Sequence, residues 1–353
     1  MTLEPLLEAC APHLSQPLVS AESHRDMQSL GSVLSRELIH RCGIEVRLGA
    51  GLLPADLSVC LRRDGAAHLA ASLASRSDSA AAWSRLAVFC ETWQDPASFL
   101  YDRLHEIWLE FDLESPRADP QLREPVVSLS GLRWREKPGT ERFCAEVAAM
   151  FDEAAALYPQ ANQPAIDVSL IDRCVRQLPE WAVVVHIMAL GARATRSVRL
   201  IVSVRWQEVA AYLVTIGWPG PVDRAERFAM RYGPRVQSLS LCLDLGTDLA
   251  PQLGIELFPH APDRKGKRIG GLLDLMVADG LCTVVKREQV VGWRGSSPLG
   301  DGRFVGRTSS HLKLGLRDGC EEAKAYVVLA EVRRSSISPF LPLRALHVGG
   351  LRA

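Results

Sequence analysis

The stretch Ser238-Leu239-Ser240-Leu241-Cys242-Leu243-Asp244-Leu245 alternates at every position between leucine and a polar or small side chain. Successive side chains of a β-strand point to opposite faces of the sheet, so the four leucines share one face and the other residues share the second. Such a strand packs against apolar side chains on one side only. We predict that the polar face contains Ser240, Cys242 and Asp244, and that the leucines face a hydrophobic core.

The same alternation recurs in residues His105–Leu113, Val198–Val204 and His311–Arg317. Charged side chains that return on one face of successive strands indicate a lined chamber more than an ordinary solvent-facing surface. A closed antiparallel barrel with a polar interior fits this pattern, because closure leaves no unpaired strand edge. The alternative is an open antiparallel sheet with helices on one face and water on the other.

Strand patterns occur in five pairs, and helical patterns separate the pairs. The predicted strand pairs are 44–48 with 57–62, 106–113 with 126–132, 183–190 with 198–204, 237–245 with 253–258, and 311–317 with 323–332. Hairpins make neighbouring strands antiparallel, which argues against a parallel βαβ architecture. We predict a single α/β domain over residues 1–353. It comprises an N-terminal helical segment at 1–43, a ten-stranded antiparallel barrel with outer helices at 44–332, and a C-terminal tail at 333–353.

Composition excludes several classes of protein. Among the 353 residues, 41 lysines and arginines balance 41 aspartates and glutamates, so no global field attracts nucleic acid or an anionic membrane. No uncharged apolar run reaches the ~18 residues that a membrane span needs. The N-terminus Met1-Thr2-Leu3-Glu4-Pro5 lacks the basic and apolar regions of an export signal. We therefore expect a cytoplasmic protein that binds neither nucleic acid nor membrane.

The nine cysteines are scattered along the chain and form no Cys-x-x-Cys pair. This distribution is typical of reduced core thiols in a cytoplasmic protein, and it predicts neither a disulfide framework nor a zinc site. The chain also lacks the P-loop, the Gly-x-Ser-x-Gly elbow, the His-Glu-x-x-His helix and the Asp-Asp-x-x-Asp motif. Their absence disfavours P-loop enzymes, α/β serine hydrolases, zincins and all-helical prenyl synthases. The basic run 264–268 has no interleaved aromatic residues, which argues against single-stranded nucleic acid as its ligand.

The predicted element order resembles that of the ABBA, or PT-barrel, prenyltransferases over roughly residues 44–332. The closest local likeness lies in Ser310-His311-Leu312-Lys313-Leu314-Gly315-Leu316, followed by Glu322-Ala323-Lys324-Ala325-Tyr326. It is similar to the family's placement of lysine and tyrosine on strands that face the barrel axis. The resemblance implies five α-α-β-β units that form a ten-stranded barrel, with helices outside and substrate inside.

In that family, Arg, Lys and Tyr side chains bind a prenyl diphosphate, and tyrosines shield the allylic cation. A diphosphate needs several such donors at once. The inward-facing positions predict the following substrate-binding residues: Arg47, Arg62, Trp108, Arg199, Asp244, His311, Lys313, Arg317, Lys324 and Tyr326. The stretch 253–258 carries Glu256 where the family often has an Arg-x-Lys-x-Tyr strand. Of the five tyrosines, only Tyr326 lies on a predicted inner face, so other residues such as Trp108 must supply any further shield.

An acidic cluster on one predicted strand comprises Glu106, Glu110 and Asp112. Carboxylates held in a semi-dry chamber can have raised pKa values, which suits them to orient an acceptor or to act as a general base. They could instead hold Mg²⁺ against phosphate oxygens. The remaining interpretation is that they pair with inner-face arginines and serve packing only.

Two functions remain open from the sequence. The resemblance implies a prenyltransferase that joins an allylic diphosphate to an aromatic or other nucleophilic acceptor, a peptide side chain among them. The alternative is a non-catalytic barrel of similar design that binds a small molecule or a peptide. The poverty in tyrosine favours the second, and the clustered inward cations favour the first.

Overall fold

The computed structural model of the chain describes residues 2–35, 39–51, 54–74, 81–113, 123–158, 167–193, 197–260, 266–300, 302–317 and 319–333. All thirteen predicted site residues lie within these ranges. The predicted C-terminal tail lies outside them beyond residue 333, as do the first two residues of the basic run 264–268.

Ten antiparallel strands close into one barrel, as the alternating sequence pattern predicts. Each strand pairs with its neighbour in the order β1-β2-β3-β4-β5-β6-β7-β8-β10-β11, and β11 pairs back to β1. A further strand, β9, pairs with the first half of β10 and lies outside the ring. The strands are β1 (Arg41–Arg47), β2 (Ala55–Arg62), β3 (Glu106–Phe111), β4 (Val126–Ser130), β5 (Val183–Ala189), β6 (Val198–Val204), β7 (Val236–Leu245), β8 (Leu249–Pro259), β9 (Gly295–Gly300), β10 (Arg303–Arg317) and β11 (Cys320–Arg333).

Helices precede each pair of barrel strands and cover the outside of the ring. They are α1 (Glu4–Cys10), α2 (Ala21–Val33), α3 (Arg63–Ala74), α4 (Ala81–Gln94), α5 (Phe99–Arg103), α6 (Glu141–Ala156), α7 (Val168–Arg176), α8 (Val209–Thr215), α9 (Val222–Tyr232), α10 (Lys267–Ala278) and α11 (Val284–Gly292). Among the described residues, no helix is both long and apolar enough to cross a membrane.

The main hydrophobic core lies between the barrel and these helices. Leu241 of β7 is buried in the same cluster as Met150 of α6 and Leu273 of α10. Helix α6 shows how the sequence builds this layer. The Thr140 hydroxyl accepts a hydrogen bond from the Phe143 N–H and so caps the helix. The buried residues of α6 recur at helical spacing, which turns one apolar face toward the barrel.

The structure differs from the predicted elements in several places, and β10 begins at Arg303, eight residues before the predicted strand 311–317. Strand β1 begins at Arg41, inside the segment predicted to be helical, because residues 41–43 continue the ladder with β2. Helix α3 follows β2 with no loop, and its early Gly65 weakens the helical signal. Strand β9 has the sequence Gly-Ser-Ser-Pro-Leu-Gly, which is typical of a turn; its proline is tolerated because β9 is an edge strand.

Candidate functional site

The barrel encloses a chamber of about 1210 Å³. All thirteen predicted site residues line it. Leu239, Leu241 and Leu243 instead belong to the outer core, so the predicted strand register is correct. Ser240 is the exception among the predicted inward residues, because it is 1% exposed and does not line the chamber.

The chamber has two ends, which we call the first rim and the second rim. At the first rim, β2 ends at Arg62 and β3 begins at Glu106, its register partner, with Arg41, His105 and Arg133 nearby. The second rim is the opposite end of the same strands. It contains Arg47, Asp56, Asp112, Arg193 and Arg317.

Most cations of the chamber are already bound to carboxylates. Arg199 forms a bidentate pair with Asp244, in which Nε and Nη2 lie 2.6 and 2.9 Å from the two carboxylate oxygens. Burial opposes ionisation of Asp244, but Arg199 outweighs it and lowers the pKa of that carboxyl. The register explains the contact, because Arg199 of β6 lies directly opposite Asp244 of β7.

Lys313 is paired with Glu256, the residue that departs from the family pattern. Its Nζ lies 3.3 Å from Glu256 Oε1, and the Cys242 thiol donates to the same oxygen at 3.4 Å. Burial opposes ionisation of Glu256, yet Lys313 prevails and lowers the carboxyl pKa to about 2. Gly254 makes room for this lysine, since a Cβ there would stand 2.7 Å from Lys313 Cε.

Glu45 is a chamber residue that the sequence prediction missed. Lys324 Nζ lies 2.7 Å from its Oε1, and the Tyr326 hydroxyl donates to its other oxygen. Burial opposes ionisation of this carboxyl, but Lys324 and Lys313 hold its pKa well below the usual range. The sequence did contain a signal for this position. Glu45 lies two residues before Arg47 on β1, and alternate residues of a strand face the same side of the sheet.

Ion pairs also occupy both rims. At the second rim, Arg47 lies 3.1 Å from Asp56, and Arg193 Nε lies 2.6 Å from Asp112. At the first rim, Arg41 Nη2 lies 2.6 Å from Glu106 Oε2. For Glu106 and Asp112, these contacts match the interpretation of the acidic cluster as partners of inner arginines.

Glu110 stands apart from the other acids of the cluster. Its one ion-pair neighbour within 4 Å among the described residues is Arg193, at 3.7 Å. A quarter of the Glu110 side chain remains exposed in the chamber. Desolvation raises the pKa of its carboxyl to about 7, although Arg193 opposes the shift. Near neutral pH, such a carboxylate can accept a proton from a bound acceptor.

Three aromatic rings form a continuous stack on the chamber wall. His311 lies between Phe258 and Tyr326, with ring centroids 4.6 and 4.1 Å away and nearly parallel planes. Phe258 lies two residues after Glu256 on the same face of β8, and its ring carries no hydroxyl. Trp108 faces the chamber from β3, with the Arg41 guanidinium 5.4 Å from its ring centroid.

Burial makes His311 a neutral member of this stack. It lowers the imidazole pKa to about 4, and Lys313 and His186 act in the same direction while Glu256 opposes them. A neutral ring does not supply the positive charge that was predicted for a diphosphate ligand. It is compatible with an adjacent carbocation, which a charged imidazolium would repel.

We expect the His311 ring to titrate far below an ordinary histidine. Proton NMR of the imidazole C–H signals should give a midpoint near pH 4, with assignment by the His311→Phe variant. In the unfolded chain this imidazole binds its proton near pH 6.5, whereas in the folded chain it does so only near pH 4. The free energy of unfolding should therefore decrease as the pH falls from ~6.5 to 4. A midpoint above 6 would contradict a neutral stack.

Magnesium binding by Glu106, Glu110 and Asp112, which the sequence left open, stays a prediction. Glu106 and Asp112 are bound to arginines at opposite rims. Within the ranges that the structure describes, no group of three or more His, Cys, Asp or Glu residues is arranged to hold a metal ion. Dependence on Mg²⁺ is therefore a matter for the assay proposed below.

The cysteines largely match their predicted role. All nine are free thiols, and eight are buried. The exception is Cys320, which is exposed at the start of β11. Burial raises the pKa of the chamber thiol Cys242 to about 12, so it is protonated near neutral pH.

No protein-family model matches the chain, and no curated protein matches it in sequence. Solved structures do match it over nearly its whole length. The 5-dimethylallyl tryptophan synthase of Streptomyces coelicolor, in complex with DMASPP and Trp, is 13% identical with a TM-score of 0.52, covering 99% of this chain and 98% of that chain. The 6-dimethylallyltryptophan synthase of Micromonospora olivasterospora, with the same ligands, is 14% identical with a TM-score of 0.52, covering 92% and 94%.

Prenyltransferase PriB, in a ternary complex with L-tryptophan and dimethylallyl thiolodiphosphate, is also similar. It is 12% identical with a TM-score of 0.51, covering 94% of this chain and 96% of that chain. Together with the closed ring of ten antiparallel strands, these likenesses show that the chain has the ABBA, or PT-barrel, fold of these prenyltransferases.

Proposed function

We propose that this protein transfers a prenyl group from an allylic diphosphate to an aromatic acceptor. The observation that carries the proposal is the meeting, inside one barrel of this fold, of an aromatic wall and a carboxyl group that titrates near neutral pH. The wall consists of Trp108 and the stack Phe258–His311–Tyr326, and the carboxyl group is that of Glu110. The matching structures hold a prenyl diphosphate analogue and tryptophan in the same fold, which supports these two substrate classes.

The proposed reaction assigns a role to each group. The C–O bond of the allylic diphosphate breaks, and its electron pair leaves with the diphosphate. The aromatic wall faces the resulting allylic cation, because the negative face of a π system attracts positive charge. A π electron pair of the acceptor then forms the new bond to the allylic carbon. The Glu110 carboxylate accepts the proton that the acceptor releases.

Product formation tests the proposal directly. Incubation of the full chain with dimethylallyl diphosphate and L-tryptophan should give a product heavier by one dimethylallyl group in place of one hydrogen, detected by mass spectrometry. Parallel reactions with geranyl and farnesyl diphosphate, with a tryptophan-containing peptide, and with Mg²⁺ or EDTA define chain length, acceptor and metal dependence.

A non-catalytic barrel makes a different prediction for the same samples. The observation that calls for this test is the internal pairing of charges, because Arg47, Arg199, Lys313 and Lys324 each have a carboxylate partner. Calorimetry should then show binding of tryptophan or a peptide without product from any of the three diphosphates. That result would replace the proposed transferase with a ligand-binding barrel.

A further inference from the structure

Charge is distributed unevenly along the chamber. Four cations that were predicted to bind a diphosphate, namely Arg47, Arg199, Lys313 and Lys324, are all bound to carboxylates. A diphosphate that entered among them would have to displace those carboxylates or lie beside them. Either arrangement opposes binding, since the like charges would share a poorly hydrated space.

The first rim offers two arginines without such partners. Among the described residues, the side chains of Arg62 and Arg133 form no ion pair or hydrogen bond. Both line the chamber, and the Nε of Arg62 is buried without a hydrogen-bond partner. A buried N–H without a partner is costly, and an anion that accepts its hydrogen bond removes that cost.

Adjacent strands bring these two arginines to the same side of the rim. Arg62 at the end of β2 is opposite Glu106 at the start of β3, and Glu106 is opposite Ser130 at the end of β4. Arg133 follows Ser130 closely in the chain. Glu106 is bound to Arg41, and Asp64 is a second carboxylate that acts on His40, so Arg41, Arg62 and Arg133 together leave the rim with an excess of positive charge.

The histidines of this rim are consistent with that excess. Burial lowers the pKa of His105, and the nearby guanidinium groups lower it further. The effect of Arg133 on this pKa is larger than that of Arg62. Burial is the main cause that lowers the pKa of His40 to about 4. The charges of Arg62 and Arg41 act in the same direction, while Glu106 and Asp64 oppose them. The imidazole rings of His40 and His105 therefore lie in a region where the charge of the arginines disfavours their protonation.

We propose that the first rim is the anion site of the chamber, and that Arg62 and Arg133 bind the diphosphate of the prenyl donor with His105 beside them. This assignment rests on the proposed function for the identity of the donor, but pyrophosphate alone can test it.

Calorimetric titration of the full chain with inorganic pyrophosphate tests the site without any need for turnover. Arg62→Gln and Arg133→Gln should each weaken binding by roughly 10- to 100-fold, the usual effect of losing a charge-assisted hydrogen bond. The matched control is Arg135→Gln, since Arg135 lies on the same segment, is exposed and pairs with Asp102 outside the chamber. It should bind pyrophosphate within about twofold of the wild type, the spread expected for a screened surface charge.

A variant at the second rim tests whether pyrophosphate binds at that end of the chamber instead. Arg317 lines the second rim, is exposed, and forms no ion pair or hydrogen bond among the described residues. If Arg317→Gln weakens pyrophosphate binding more than Arg62→Gln does, or if the wild type binds no pyrophosphate, the first-rim assignment is wrong. If pyrophosphate binding depends on Arg62 but no prenylated product forms, the rim assignment stands and the proposed transferase activity fails.

Discussion

Replacing Glu110 with glutamine should lower the turnover of prenyl transfer by about 10²–10⁴-fold, the usual contribution of a positioned general base. Glutamine keeps the size and hydrogen-bonding capacity of the side chain but cannot take the proton of the acceptor. The affinity for pyrophosphate should change little, because the first rim binds that group. Steady-state kinetics with dimethylallyl diphosphate and tryptophan, combined with calorimetry, separate the two effects.

The pH profile identifies the group responsible. Because Glu110 titrates at about 7, wild-type turnover should rise with pH through that value as the carboxylate forms. The Glu110→Gln variant should lack this rise. The control is Glu124→Gln, which removes another chamber carboxyl and should keep both the turnover and the profile of the wild type. An unchanged profile in Glu110→Gln would assign the proton transfer to another group.

Stability provides a check on the same carboxyl that requires no activity. Since burial raises the Glu110 pKa from 4.5 to about 7, the folded chain binds more protons than the unfolded chain between those values. The free energy of unfolding should therefore fall by up to about 3 kcal/mol, relative to Glu110→Gln, as the pH rises from 4.5 through 7. Urea unfolding at pH 5 and pH 8.5 measures the difference.

The barrel could be predicted from the sequence because its strands have one apolar and one polar face. In β7, four leucines alternate with four smaller or polar residues, and a shift of one residue would have reversed every assignment. The structure places Leu241 in the outer core and Asp244 in the chamber, in agreement with the predicted register. Strand β9 could not be predicted this way, because its six residues show no alternation and resemble a turn.

The pairing of charges could not be predicted from local patterns. Lys324 and Glu45 are 279 positions apart, and they meet only because β11 closes the ring against β1. The same closure places Tyr326 opposite Glu45, whereas His311 meets Tyr326 through the pairing of the consecutive strands β10 and β11. The alternation of a strand shows that a residue faces the chamber, but it does not show whether the residue is bound to an oppositely charged partner. Only the structure shows that Arg62 has no carboxylate partner among the described residues, unlike the paired cations.

Loss of Arg41 should destabilise the fold more than loss of any exposed charge. Its side chain is 3% exposed, and its Nη2 lies 2.7 and 2.6 Å from the two oxygens of Glu106. Arg41→Met would leave the Glu106 carboxylate in a poorly hydrated rim and remove the guanidinium near Trp108. The expected cost is about 3–5 kcal/mol in the free energy of unfolding, as for other buried pairs that lose one partner.

A double-mutant cycle shows whether that cost comes from the charge left behind. In the Arg41→Met/Glu106→Gln variant, no unpaired carboxylate remains, so much of the stability should return in urea unfolding. The control is Arg135→Met, which breaks the exposed pair with Asp102 and should cost less than about 1 kcal/mol. If the double variant loses the sum of the two single losses, Arg41 and Glu106 stabilise the rim independently. Two residues in direct contact typically give a coupling energy of about 1 kcal/mol or more in such a cycle. A value of that size would mean that Glu106 is stable as a carboxylate at the rim because Arg41 binds it.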